Sequence, residues 1–564
     1  MALQAAQFDS AEELPSVWWG YEGVDLLVVT TSDAEKLVQM SQVQKGALLE
    51  WVRLGGRILL CVGREGERIA ADPIWSQLLP GDFSDVAPLQ ERSGLETFTK
   101  VELPVNDESY QRNRPRITRL KHVKGEVLVG EETSTARPLV VHATAGLGEV
   151  YFVGLDLDHP ALAKWSGRFR LLAAIFQRHD RQRDSGEREA RRGISRLGYE
   201  DLSGQLRTAL DQFPGVALVS ITTVSVLVGA YLLLIGPGDF LLITRMGWPR
   251  QVTWLTFSLI AVAFIGLASW LSASAHGGRV RVNQVEIVDI DVKNQTVRGT
   301  VWAHLYSPRT SHFRPTLKID APDGTVERAE GWLSWQGLPG DSIGGLGSNQ
   351  VALLETEPYR AAEPGGDRTL AGLPISIASS KSLSGRWWGK LSAANKPELS
   401  VDQFGLLIGK FQQPLAVELT ECILAHGEKL FRLGTLRPGQ TVTIDPQTSL
   451  NLEWRLTLRR VQESKDVSEP WNQASTDVPR ILQMMMLHEA ARGSGYTGLT
   501  HRYQPYVDLS EHVRLGEAVL IGRAAAPVSH LRTGEEPLAA AEDTVTWTWH
   551  RLVFPVQSQS AATP

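Results

Sequence analysis

"VALVSITTVSVLVGAYLLLIGPGDFLLITRMGWPRQVTWLTFSLIAVAFIGLASWL", residues Val216 to Leu271, decides the architecture of this chain. Two apolar runs flank a short polar connector. No Asp, Glu, Lys or Arg interrupts Val216 to Ile235, and none interrupts Val252 to Leu271. Roughly 20 apolar residues rising about 1.5 Å each cover the ~30 Å hydrocarbon core of a bilayer. A helix satisfies its own backbone groups there. The runs therefore predict transmembrane helices over 216–236 and 252–271, with the lipid bilayer as a partner. The alternative is a buried hairpin in a large soluble core. Gly236, Pro237 and Gly238 predict the break that ends the first helix. Trp248, Trp254 and Trp270 lie near the ends of the second run and Tyr231 near the far end of the first, where amphipathic rings favour the interface.

The connector is too short to hold a domain, so both large flanks are expected on one side. Arg245 and Arg250 outweigh Asp239 in the connector, the pattern of a short basic loop retained inside. Arg196 and Arg207 before the hairpin nearly balance Arg279 and Arg281 after it. "RQRDSGEREARR" (181–192) pulls toward a cytoplasmic N-terminal flank, although its acids make it a mixed-charge segment. The expectation is an inner-membrane protein with extracytoplasmic globular regions. The start "MALQAAQFDSAEELPSVWW" has no basic segment followed by an apolar run and does not read as a signal peptide. Export of the N-terminal region then rests on the hairpin itself or on a signal further upstream.

A chain of 564 residues holds three or four units on a prior of about 150 residues each. Hydrophobic residues at 43% and charged residues at 21% indicate ordered domains. A net charge of −6 is weak for this length and argues against a nucleic-acid partner. Cys61 and Cys422 fall in different regions, so no disulfide or metal framework is expected. The 17 tryptophans are read mainly as core, with carbohydrate-type surface residues as the alternative.

In residues 1–180, "GVDLLVVTT" (23–31) reads as a buried parallel strand. A helix follows, capped by Ser32 or Asp33, with Leu37, Met40, Val43, Leu48, Trp51 and Val52 at helical spacing and Gly55 and Gly56 as its stop. "RILLCVG" (57–63) completes a right-handed β-α-β unit. "RPLVVHA" and "GEVYFVGLDLD" give two more strands around a turn at Gly146 to Gly148, and 159–179 gives a closing helix. The alternation predicts a doubly wound α/β layer.

Here "LPSVWWGYEGVDLLVV", "LLEWVRLGGRILLCVG" and "GLGEVYFVGLDLDHPALAKW" resemble the class I glutamine amidotransferase-like (flavodoxin-like) domains of uncharacterised bacterial membrane proteins. In those proteins a segment of the "YLLLIGPGDFLLI" kind follows. The resemblance covers most of Phe8 to Leu271 and implies a flavodoxin-like fold. It also implies a cysteine on a strained strand-to-helix elbow in active members. Cys61 instead lies inside "ILLCVG" and reads as a core residue. His142 has no acidic neighbour in sequence to make it a base. The domain reads as a degenerate, non-catalytic member.

Residues 181–215 form a linker in which Leu202, Leu206 and Leu210 mark a helix leading into the membrane. The alternative is a membrane-surface helix with Arg207 among the headgroups. From 276 to 460, Val280, Val282, Val285 and Ile287, then Val297, Thr300 and Trp302, flank a turn at Lys293 and Asn294 and read as a hairpin. Asp323-Gly324 signals another turn, and 356–372 reads as a loop. Short strands with regular turns predict a β-sandwich region, in two units. Residues 461–564 read as mixed β, with a helix between Pro479 and Gly493, closing strands and an irregular tail. Met484 to Met486 read as a packing face, not a cofactor box. "HEAAR" (His488 to Arg492) puts an arginine where a zinc-protease helix needs its second histidine.

No catalytic, cofactor or metal residue is singled out. The functional expectation is a membrane-anchored, non-catalytic scaffold or binding protein with protein partners. The alternatives are a hydrolase or amidotransferase in the N-terminal domain, and a transporter or channel. The last is disfavoured by spans without ionisable residues.

Overall fold

A computed structural model describes residues 6–8, 10–32, 34–105, 108–132, 137–175, 199–216, 221–320, 326–336, 360–361, 368–392, 396–460, 466–468 and 470–557. The arginine-rich 181–192, the Asp323-Gly324 turn, Asp33, most of the 356–372 loop and the last seven residues, 558–564, lie outside them. The chain has an N-terminal α/β region, two apolar helices and a strand-rich C-terminal region.

The α/β region is built on strands β1 (Leu27–Thr30), β2 (Arg57–Cys61), β3 (Glu126–Gly130), β4 (Pro138–Ala145) and β5 (Gly148–Val153). They form one sheet in the order β1-β2-β5-β4-β3. β1 and β5 run parallel to β2, whereas β4 is antiparallel to β5 and β3 to β4. The sheet is thus mixed, not wholly parallel. The cause is local: Ala145 pairs with Gly148, and a turn that tight permits only antiparallel strands. The helical stretch after β1 also differs from the single helix expected. It breaks at Met40, and α1 (Gln42–Arg53) starts anew at Ser41, whose side chain exchanges capping bonds with Gln44.

The apolar pair leaves the globular part. Helix α2 (Leu202–Leu210) precedes it, then α3 (Ile221–Leu233), a π-turn (Leu234–Gly238), α4 (Asp239–Met246) and α5 (Thr253–His276). Thr222–Met246 and Arg250–Leu271 are long and apolar enough to cross a membrane, and only 11% and 0% of the most apolar 18 residues in each are buried, so the buried-core alternative fails. The expected break at Gly236, Pro237 and Gly238 does not occur. Pro237 lacks an N–H and its ring crowds the preceding turn. The helix widens into a π-turn there and continues to Met246, and Gly247 (φ +65°) ends it. Asp239 consequently lies inside the first helix, buried, with Thr256 Oγ1 donating to its Oδ1 at 2.6 Å. The first apolar helix therefore extends past the 216–236 run and takes in an ionisable residue that the run itself lacks. Tyr231 and Phe264 meet at 5.3 Å on the same seam between the helices.

The linker-helix and surface-helix readings of 202–210 both give way to a third arrangement. Leu202, Leu206 and Leu210 are buried in the C-terminal core with Ile481, Leu482 and Met485. Asp201 caps the helix and holds Thr500 Oγ1 at 2.7 Å. That core surrounds a nine-stranded sheet of β6 (Arg281–Asp291), β7 (Thr296–Ser307), β8 (Val326–Gln336), β9 (Ser379–Leu391), β10 (Leu419–His426), β11 (Lys429–Leu436), β12 (Leu450–Asn451), β13 (Ala518–Ala524) and β14 (Thr544–Phe554). Its order is β8-β9-β7-β6-β14-β13-β10-β11-β12, and strands from both sides of residue 460 share it. β14 lies parallel to β6, which only a long connection permits. Val288, Ile290, Val301, Leu552 and Phe554 face short strands that carry Leu317, Leu399, Phe411 and Leu531. Val285, Ile287, Trp302 and Trp549 face α2 and α6 (Val478–Met486). With both faces covered, β6 and β7 are buried along almost their whole length. Met484 to Met486 are fully buried in that second core, a packing face. α6 stops at Met486, short of the Gly493 expected, so His488 and Arg492 do not share a helix face.

Candidate functional site

The α/β region and the strand-rich region meet along a buried seam. At one end Trp18 packs on Trp388 (4.7 Å, edge-on) and Trp332 (5.4 Å), and Trp19 packs on Trp388 (5.3 Å). Arg386 pairs with Glu22 beside them. At the centre Asp289 of β6 accepts from Arg551 Nε at 2.6 Å and from Arg298 Nε at 3.0 Å. Arg298 Nη1 reaches across to the Leu54 carbonyl at 2.6 Å. These three side chains are 1–3% exposed. Gly55 has φ +119°, and a Cβ there would lie 2.3 Å from Arg298 Nη1, so the crossing bond requires glycine.

At the other end stands a cluster of titratable groups. His142 of β4 stacks on its cross-strand partner Tyr151 at 4.1 Å. Its Nε2 lies 2.9 Å from Glu149 Oε2, and Arg514 Nη2 lies 3.2 Å from its Nδ1. An arginine can only donate, so Nδ1 accepts and Nε2–H donates to the carboxylate. Glu149 also accepts from Arg57 Nε at 3.2 Å. Arg514 ends the short helix α7 (Ser510–Arg514) and bonds Glu511 and Glu126. Burial works against its charge, but the bonds to Glu511 and Glu126 hold its pKa above the ordinary value. Glu489, from the "HEAAR" stretch, is pushed up to about 9 by burial and by Glu511 and Asp508. Burial likewise raises Asp508, which accepts from the Glu489 N–H at 2.9 Å. His488 and His501 lie 5.3 Å apart, and burial lowers both to about 4.

The structure thus joins His142 and Glu489, read separately in the sequence, in one cluster. It does not join Cys61 to them. His142 is level with Tyr151 and Leu59, while Cys61 pairs across to Val153, with β5 between β2 and β4. Cys61 is fully buried, and burial pushes its thiol well above the usual range, so little reactive thiolate forms. Beyond β1 and β5, where α/β sheets bind ligands, Asp156 accepts from Thr31 N at 3.0 Å and Oγ1 at 2.8 Å. Burial raises its pKa. Its Oδ2 fills the space over Gly63, 2.2 Å from where a Cβ would sit. Among the described residues no group of three His, Cys, Asp or Glu side chains is arranged to hold a metal ion.

Sequence reasoning missed the acidic partner of His142, because Glu149 arrives through hairpin register. It also missed Asp289, Arg298 and Arg551. A signal existed: each interrupts an apolar strand ("EIVDID", "TVRGTVW", "WHRLVF"), and a charge buried in a strand requires a partner.

No family model matches the chain, and no curated protein matches it. Among solved structures, a cytoplasmic protein from Salmonella typhimurium LT2 is similar over 28% of this chain and 72% of its own, at 16% identity and a TM-score of 0.19. The yeast delta-COP-I mu-homology domain complexed with a Dsl1 WxWxV peptide is similar over 50% of this chain and 98% of its own, at 7% identity and a TM-score of 0.22. Likenesses this low carry no argument about fold or function.

Proposed function

We propose that this is an integral inner-membrane protein, anchored by the α3–α5 hairpin, whose flanking regions form one extracytoplasmic body. The body acts as a non-catalytic scaffold or binding unit for protein partners. Its α/β region is a degenerate relative of class I glutamine amidotransferase-like, flavodoxin-like domains. The observation that carries the reading is the contrast in burial. Only 11% and 0% of the most apolar 18 residues in the two helices are buried, while the regions before and after them share a sealed seam. Apolar helices left uncovered need a lipid solvent, and flanks that bury each other require an even number of crossings. The buried Cys61 and the Asp156 carboxylate packed beside Gly63 favour the non-catalytic role.

Carbonate and high-salt washes test the anchor: the full chain should stay with membranes, and release by salt alone refutes it. Single cysteines replacing Val43, Gly247 and Phe404 in a Cys61→Ala/Cys422→Ala background test the sidedness. An impermeant maleimide on intact cells should label positions 43 and 404 and spare 247. The reverse pattern puts the body in the cytoplasm. Different outcomes at 43 and 404 would dismantle the hairpin.

A further inference from the structure

The end of the globular body nearest the hairpin presents a loop pair that the anchor reading leaves unused. β6 starts at Arg281, four residues after the Gly277 that ends α5, so the membrane lies beyond the start of β6. Arg281 bonds the Pro214 carbonyl, and Phe213 packs on Tyr306 at 5.3 Å, which gathers both roots of the hairpin here. Arg281 pairs with Tyr306 and Ser307 with Ser379, so the chain after Ser307 and before Ser379 runs toward the membrane. Two short strands, Ser311–Phe313 and Leu373–Ile375, close this projection, with Ser311 opposite Ile375. Leu373 and Ile375 are fully buried in the core with Val282 and Leu305, so the paired chains fold back over it and residues 308–310 and 376–378 form the outer bend.

At that bend Ile377 is 67% exposed. Its N–H donates to Thr310 Oγ1 at 3.1 Å, tying the two loops together. Ala378 is held at φ +51°, a conformation that costs a non-glycine residue energy. The Arg309 carbonyl accepts from Ser307 Oγ, fixing the turn that carries the exposed Arg309. A strained backbone thus presents an aliphatic side chain at the level of the hairpin root, and the loop tied to it carries an exposed cation. Aliphatic groups partition into the acyl boundary, and cations meet lipid phosphates.

The geometry points to a second membrane contact: the 308–310 and 376–378 loops insert Ile377 into the headgroup layer of the bilayer that holds the hairpin, with Arg309 against lipid phosphate. This inference rests on the anchor reading and orients the body, because two roots plus one offset contact fix its tilt. Phe404, 78% exposed on a turn at the opposite end of the body near Gln557, is the natural control.

The test uses the full chain in vesicles of phosphatidylcholine and phosphatidylglycerol. An environment-sensitive fluorophore is placed on Ile377→Cys, Phe404→Cys or Leu259→Cys in the Cys61→Ala/Cys422→Ala background. Lipids spin-labelled near the headgroup should extinguish emission from position 377, lipids labelled near the chain end should extinguish position 259, and position 404 should keep its emission with both. Emission at 377 that follows 404 while 259 is extinguished overturns the second contact and leaves the anchor standing. Emission retained at 259 overturns the anchor reading and this inference together.

Discussion

Asp289→Ala should be among the most damaging single substitutions in the strand-rich region. The carboxylate is 1% exposed and holds two guanidinium groups that are themselves 1% and 3% exposed. Removing it leaves both cations buried without that counter-ion, a change that costs about 3–5 kcal/mol where buried pairs are broken. That is a large share of the roughly 5–15 kcal/mol that holds a domain folded. The loss should reach the seam, because Asp289 orients the Arg298 fork that bonds Leu54 across it. Urea unfolding of the detergent-solubilised full chain, followed by tryptophan fluorescence, measures it. The deficit should not shrink in high salt, since ions do not screen a buried site. Despite burial, which alone would raise it, pairing with Arg551 and Arg298 holds the Asp289 pKa below its ordinary value. A depressed carboxylate contributes stability above its unfolded pKa of about 3.9 and loses it as pH falls through the folded value, so the deficit should be flat across neutral pH. A loss under about 1 kcal/mol, the scale of exposed ion pairs, would refute the reasoning.

Glu489→Gln should remove a pH dependence. The folded carboxyl titrates at about 9 against an ordinary 4.5, so folding favours its protonated form and stability falls as pH rises through that window. The variant should be more stable than the wild type above neutrality and converge with it in acid, and parallel melting curves would sink the assignment. Asp239→Ala deletes the hydrogen bond between the two apolar helices and, if they pack as in a bilayer, should cost the hairpin about 0.6–1.7 kcal/mol in a reversible detergent-unfolding assay, with no change counting against the Thr256 contact. Cys61→Ala should cost about 1 kcal/mol and leave every activity intact. Loss of glutamine or amide turnover in a folded Cys61→Ala protein would restore the enzyme reading. Thiol reagents should reach native Cys61 only on unfolding.

The apolar runs, most strands and the core positions of Cys61 and Met484 to Met486 were legible from local pattern. A membrane span is apolar residue by residue, and a strand alternates within its own few residues, so a short window contains the whole signal. The outcome at Pro237 was less legible. Proline marks where the regular turn must yield, but whether the helix ends or widens depends on the partners its next turn meets, and here Asp239 finds Thr256 on the returning helix.

The seam was decided by tertiary structure alone. Glu149 meets His142 through the register of a hairpin, and Arg514 meets His142 from 372 residues away. β14 lies parallel to β6 because a sheet with both faces buried accepts a strand from anywhere in the chain whose apolar pattern fits. The amphipathic period of Leu202, Leu206 and Leu210 was plain in the sequence, yet period reports only that a face is buried. Linker, membrane surface and protein core all bury an apolar face, and the choice among them rests on long-range packing that no local window records.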